Sequence, residues 1–127
     1  MKPIPEMTDA EMDEAMAVEV KGWWYLKIAE YNLDTYRHWG KVGDTLLIGD
    51  SGEIVFDWHP TTDLNQAWEC AEKYQRGKPF DLYKNNFNLG CECTLYGDDD
   101  HNIGLGIAPH PARAVCEAVL MAVRSER

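Results

Sequence analysis

The chain has 127 residues, 45 % of them hydrophobic, enough for a modest core in one domain and too few for a second domain that stands alone. Twenty-two acidic residues against twelve basic ones leave a formal charge of −10, which repels a phosphate backbone, so direct binding of DNA or RNA is not expected. No apolar run approaches the roughly 20 residues of a membrane span, and no charged segment followed by an apolar stretch opens the chain, which implies a soluble protein that stays in the cytoplasm where it is made.

Thr8 and Glu11 have the spacing of a capping box, with Met7 and Met12 placed for a hydrophobic staple. A helix is therefore predicted from about Asp9 to Lys21, with Met12, Met16 and Val20 on its inner face and Gly22 as its stop. Asp9, Asp13 and Glu14 suit the positive end of its dipole. The chain then becomes aromatic, with Trp23, Trp24, Tyr25, Tyr31, Tyr36, Trp39, Phe56 and Trp58. Trp24 to Ala29 reads as a strand, although Leu26 to Trp39 also fits a helix. Asp44 to Ile48 and Glu53 to Trp58 flank Gly49-Asp50-Ser51-Gly52 and predict a hairpin.

Phe56 to Tyr74 is the stretch around which the rest is organised. After Pro60, the residues Thr61, Thr62 and Asp63 are competing caps for a helix whose Leu64, Ala67, Trp68 and Ala71 recur at i, i+3, i+4 and i+7. Asp63 is the preferred cap, accepting from the Gln66 N–H while the Gln66 side chain reaches back. The stripe places Trp68 in the core, and Gly77 stops the helix.

Phe87, Leu89, Cys91, Cys93 and Leu95 alternate with Asn88, Gly90, Glu92, Thr94 and Tyr96, the period of a strand. Gly97 to Asn102 makes a turn, and Ile103, Leu105 and Ile107 return as an antiparallel partner. Gly104 and Gly106 between them bare the backbone of one face for close approach of a helix. Pro109 and Pro111 introduce a last helix with a stripe of Ala112, Val115, Cys116, Val119, Leu120 and Val123. Ala114, Ala118 and Ala122 let it lie close to a sheet. The elements predict an α+β fold, a mostly antiparallel sheet of about four to six strands packed with three helices.

Three pieces in this order, AEMDEAMAVEVKGW (Ala10 to Trp23), PTTDLNQAWECAEKY (Pro60 to Tyr74) and APHPARAVCEAVLMAV (Ala108 to Val123), resemble the phage ABA sandwich domain, a family of small accessory proteins of bacteriophages and prophages. The segment Trp24 to Trp58 is longer than the family's usual link, and the second helix reads Leu-Asn-Gln-Ala-Trp rather than Ala-rich. These are packing motifs. The resemblance implies a layered fold and a phage origin, and it carries over no catalytic residue.

The residues themselves offer no catalytic constellation. The four cysteines fall on apolar stripes, which argues for reduced, inert thiols, and lack the close pairs of a zinc site. Cys91, Cys93 and His101 share their stretch with Phe87, Leu89 and Leu95, which says core rather than ligand. Asp98, Asp99, Asp100 and Asn102 do not have calcium-loop spacing. Ser51 and Ser125 sit in a turn and near an end, away from any nucleophile motif. No metal, no cofactor and no enzymatic activity are expected.

Binding is expected instead. Tyr31, Tyr36, Arg37, His38 and Trp39 combine the residue types that dominate interface hot spots, and Asp98, Asp99 and Asp100 supply negative charge. With the phage setting that the resemblance implies, the expected partner is a protein of the bacterial host, the leading case being an antiviral defence component blocked by occlusion as an anti-CRISPR protein blocks its target. A basic nucleic-acid-binding groove is one surface on such a partner that the acidic chain would suit. The alternative is a sponge for a nucleotide signal, with phosphates at the helix start formed by Thr61, Thr62 and Asp63 and a ring from Trp58 or Trp39. Arg37, Lys41 and Lys84 would supply its cations. A small hydrolase is a further alternative, and a second copy of the chain is another occupant for the aromatic surface.

Overall fold

A computed structural model describes residues 2–28, 43–75, 80–85, 90–97 and 102–126. The chain forms two compact units, one of Met1–Lys21 with Trp58–Arg127 and one of Gly22–Asp57.

The smaller unit is an antiparallel sheet of β1 (Trp24–Lys27), β2 (Thr45–Ile48) and β3 (Ile54–Val55), in that order. Leu46 and Ile48 with Ile28 make its buried cluster, with Leu26 and Ile54 packed against it. The hairpin predicted around Gly49 to Gly52 is present, closed by the Gly49 N–H on the Glu53 carbonyl at 2.8 Å, with Gly52 at φ +81°. Its second strand is shorter than the predicted run to Trp58, and Asp57 at φ +54° turns the chain out of extended conformation. Trp24, Tyr25 and Phe56 are exposed.

The larger unit opens with a short 3-10 turn, Ile4–Glu6, and then α1 (Asp9–Ala15). The capping box is as predicted, with the Glu11 N–H on Thr8 Oγ1 at 3.1 Å and the Thr8 N–H on Glu11 Oε1 at 2.9 Å. Met7 and Met12 are both buried, as a staple requires. Beyond Ala15 the helix widens into π turns over Met16–Val20, closed by the Lys21 N–H on the Met16 carbonyl at 3.1 Å. The wide turn carries Met16 and Ala17 into the core.

The second helix, α2, spans Leu64–Gln75 and is capped by Asp63, whose Oδ1 accepts from Asn65 and Gln66 at 3.0 and 3.3 Å. Gln66 does not complete the expected box on Asp63. Its Oε1 takes the His59 N–H at 2.7 Å, while the Asp63 N–H donates to the His59 carbonyl at 3.0 Å. The buried face is Ala67, Cys70 and Ala71, and Trp68 lies 37 % exposed. The expectation that Trp68 is core is thereby corrected: α2 packs on another helix, which the small side chains permit and an indole does not.

Three antiparallel strands follow, β4 (Phe80–Asn85), β5 (Gly90–Tyr96) and β6 (Asn102–Ala108), and the chain closes with α3 (Pro111–Ser125). Residues 86–89, where the predicted strand began, lie outside the described set. The architecture is α+β, with six strands in two antiparallel sheets among the described residues. His110 caps α3, its Nδ1 accepting the Ala112 N–H at 3.1 Å. α3 is the centre of the unit. One side lies on β5 and β6, another meets α2, and its flank meets the helix that begins with α1. Burial accordingly extends round most of α3 and includes Val115, Cys116, Ala118, Val119 and Leu120.

Gly104 and Gly106 make this contact, as their spacing predicts. A Cβ on Gly106 would overlap the Ala114 carbonyl oxygen, and one on Gly104 that of Ala118. α3 also lies along the edge of β6, where the Leu105 N–H points to Met121 Sδ at 3.4 Å.

Two arginines of α3 hold the first helix at both ends. Arg113 donates to Glu117 at 2.9 Å, Asp9 at 2.6 Å and the Met7 carbonyl at 2.6 Å. Arg124 grips Glu19 with two bonds of 3.1 and 2.9 Å.

Candidate functional site

The residues expected to anchor a partner, Tyr31, Tyr36, Arg37, His38, Trp39, Asp98, Asp99 and Asp100, lie outside the described residues, as do Lys41 and His101. The residues of the alternative ligand site are described, and they are engaged with the protein itself. Trp58 packs against the main core, and its Nε1 donates to the Asp13 carbonyl at 2.8 Å. Thr61 is buried, its N–H donates to Asp13 Oδ1 at 3.0 Å, and its hydroxyl lies near the same carboxylate outside hydrogen-bond geometry. Burial raises the Asp13 pKa, against the pull of the Thr61 N–H. Thr62 Oγ1 bonds His59, and Asp63 occupies the first donors of α2. The start of α2 therefore presents two carboxylates and donors already in use, a poor setting for a phosphate.

Among the described residues no group of His, Cys, Asp and Glu has the arrangement to hold a metal ion. The cysteines are free thiols. Burial pushes Cys70 and Cys93 up to about 12 and raises Cys116 well above its ordinary value, which keeps these three protonated and poorly nucleophilic at neutral pH.

The outer face of the β4–β5–β6 sheet has a different character. Cys93 and Leu95 point into the core with Leu82, so alternation turns Asp81, Tyr83, Glu92, Thr94 and Tyr96 to the opposite face. Leu105 and Ile107, opposite Thr94 and Glu92, extend that face onto β6. Tyr83 is 50 % and Ile107 41 % exposed.

Two tyrosine–carboxylate pairs organise the surface. The Tyr96 hydroxyl donates to Asp81 Oδ2 at 2.9 Å across the diagonal of the β4–β5 ladder, and Tyr83 stands directly opposite Glu92. The neighbouring carboxylates, Glu92 for Tyr83 and Asp81 for Tyr96, raise both tyrosine pKa values, and each tyrosine also feels the other carboxylate. All four groups thus form one cluster. No Lys, Arg or His belongs to this face among the described residues. The alternation of β5 already set Glu92, Thr94 and Tyr96 apart from the core. β4 was harder to see, because Asp81, Lys84 and Asn85 interrupt its apolar pattern.

The sequence profile of the phage ABA sandwich domain matches residues 14–120. No curated protein matches the chain. Among solved structures, the crystal structure of a phage protein from Bacillus cereus ATCC 14579 is similar, with a TM-score of 0.63 at 14 % identity, covering 93 % of this chain and 89 % of the other. At that identity the likeness is one of fold. The profile match spans most of the chain: the chain belongs to the phage ABA sandwich domain family.

Proposed function

We propose that the chain is a non-enzymatic binding protein that occludes a basic surface on a protein of the bacterial host. The observation that carries this reading is the outer face of β4–β5–β6, where exposed tyrosine and isoleucine lie beside carboxylates and no cation among the described residues. Apolar rings for contact area and negative charge for steering are what a protein interface with a basic partner needs. The acidic balance of the whole chain, −10, adds long-range attraction for such a partner. That the target belongs to an antiviral defence system is an extension resting on the family's phage setting alone. The reading uses none of Tyr31 to Trp39 or Asp98 to Asp100. Capture of a nucleotide at the start of α2 draws no support from its donors, which Asp63 and Asp13 occupy.

The test is native mass spectrometry of the tagged protein recovered from a bacterial host lysate, beside a Tyr83→Ala/Tyr96→Ala variant. The expected result is a protein-sized mass increase for the wild type that the variant loses while its thermal midpoint is retained. An increase the size of a small metabolite overturns the reading in favour of ligand capture.

A further inference from the structure

The methionines among the described residues fall into two environments. Met7, Met12 and Met16 are 9 %, 0 % and 0 % exposed and belong to the main core cluster. Met121, on α3, is 39 % exposed. Its sulfur is also a hydrogen-bond partner, because the Leu105 N–H of β6 points to Met121 Sδ at 3.4 Å. β6 stands at the end of the order β4-β5-β6, where a backbone donor must find an acceptor other than a ladder carbonyl. A thioether is a weak acceptor, so this donor is held loosely.

Exposure and the aimed N–H together give this sulfur a reaction that the buried methionines lack. A thioether lone pair attacks one oxygen of a hydroperoxide: the S–O bond forms and the O–O bond breaks. With hydrogen peroxide the departing hydroxide takes the proton of the transferred oxygen and leaves as water, so sulfur loses two electrons and the peroxide gains them. In a core the product is damaging, because a polar sulfoxide replaces an apolar group. At Met121 the new oxygen would emerge beside a backbone donor that has only sulfur to meet, and the flexible, half-exposed side chain can draw back to admit it.

We infer that Met121 is an oxidation site of this protein, at which a hydroperoxide converts the thioether to a sulfoxide whose oxygen takes over the Leu105 N–H. The strong acceptor replaces the weak one at the seam between α3 and β6, so the modification tightens this contact and leaves the core untouched. It is reversible, since sulfoxides are substrates of methionine sulfoxide reductases. The cysteines follow a different rule: thiols oxidise through the thiolate and slow as the pH falls, whereas a thioether has no proton to lose.

The experiment treats the full chain with hydrogen peroxide at mildly acidic pH and reads each methionine by peptide mapping, with amide hydrogen exchange of Leu105 followed by NMR. Met121 is expected to gain its oxygen at least about tenfold faster than Met7, Met12 and Met16, which react only when the core opens. Exchange at the Leu105 amide should then slow about threefold or more, the effect of one improved hydrogen bond, and a methionine sulfoxide reductase should restore the original rate. Met121→Leu keeps an apolar helix former of similar size, and its Leu105 amide should not respond to peroxide. Oxidation of a buried methionine as fast as Met121, Leu105 exchange that is unchanged or faster after oxidation, or the same slowing in Met121→Leu overturns the assignment.

Discussion

The two faces of the β4–β5–β6 sheet come from the same three strands, yet they are built on opposite rules. The inner face gives up side chains: Gly104 and Gly106 are bare, Cys93 and Ala108 are small, and α3 descends until its carbonyls touch the strand. The outer face keeps large polar rings, Tyr83 half-exposed and Tyr96 partly so. The inner face spends its residues on fixing the helix, and the outer face is free of that duty. A period of two lets one stretch of sequence carry both tasks without compromise.

The contrast breaks first where charge is buried on the inner side. Arg113→Met removes the cation that faces Glu117, which is only 7 % exposed, and such a loss costs about 3–5 kcal/mol. Denaturant unfolding should show the midpoint falling accordingly, and a near-normal midpoint would mean that Glu117 is neutral or well hydrated. Gly106→Ala comes next, because its methyl meets helix backbone that must move, with an expected loss of about 1–3 kcal/mol. Thr8→Ala, which deletes one half of the capping box, should cost about 1 kcal/mol. On the outer face, Tyr83→Phe/Tyr96→Phe should leave stability within about 0.5 kcal/mol while changing binding, and a large loss there would erase the distinction between the faces.

Acid sharpens the same division through sign. Glu11, held by the Thr8 N–H and then by Lys2, is lowered from 4.5 to about 2, so its contribution is complete above 4.5 and fades as the pH falls toward 2. Glu117 is raised by burial, against the pull of Arg113, so the native state holds its proton more readily than the unfolded chain. Its effect therefore favours folding below 4.5 and weakens as the pH rises through the folded pKa. Carboxyl NMR titration should find the Glu11 midpoint near 2 and that of Glu117 above 4.5.

What could be read in advance was local. The Thr8 and Glu11 box, the Asp63 cap, the alternation of β5 and the paired glycines each depend on residues a few positions apart. Trp68 was misplaced because helical spacing identifies a stripe without saying how close its neighbour comes, and α3 comes too close for an indole. The division into two sheets and the reach of Arg113 to Asp9 are long-range arrangements with no local signature. The outer face fell between these cases. Glu92 and Tyr96 were legible as its residues, but the pairing with Tyr83 and Asp81 required the register of β4.

The graded depth of the thiols has a practical consequence. Cys91 is half-buried beside the Pro109 carbonyl, while Cys70, Cys93 and Cys116 are sealed. A thiol reagent at neutral pH should therefore label one position promptly and the remaining three only when the core opens, so that the slow labelling steps act as a clock for opening of α2, β5 and α3 without any introduced probe.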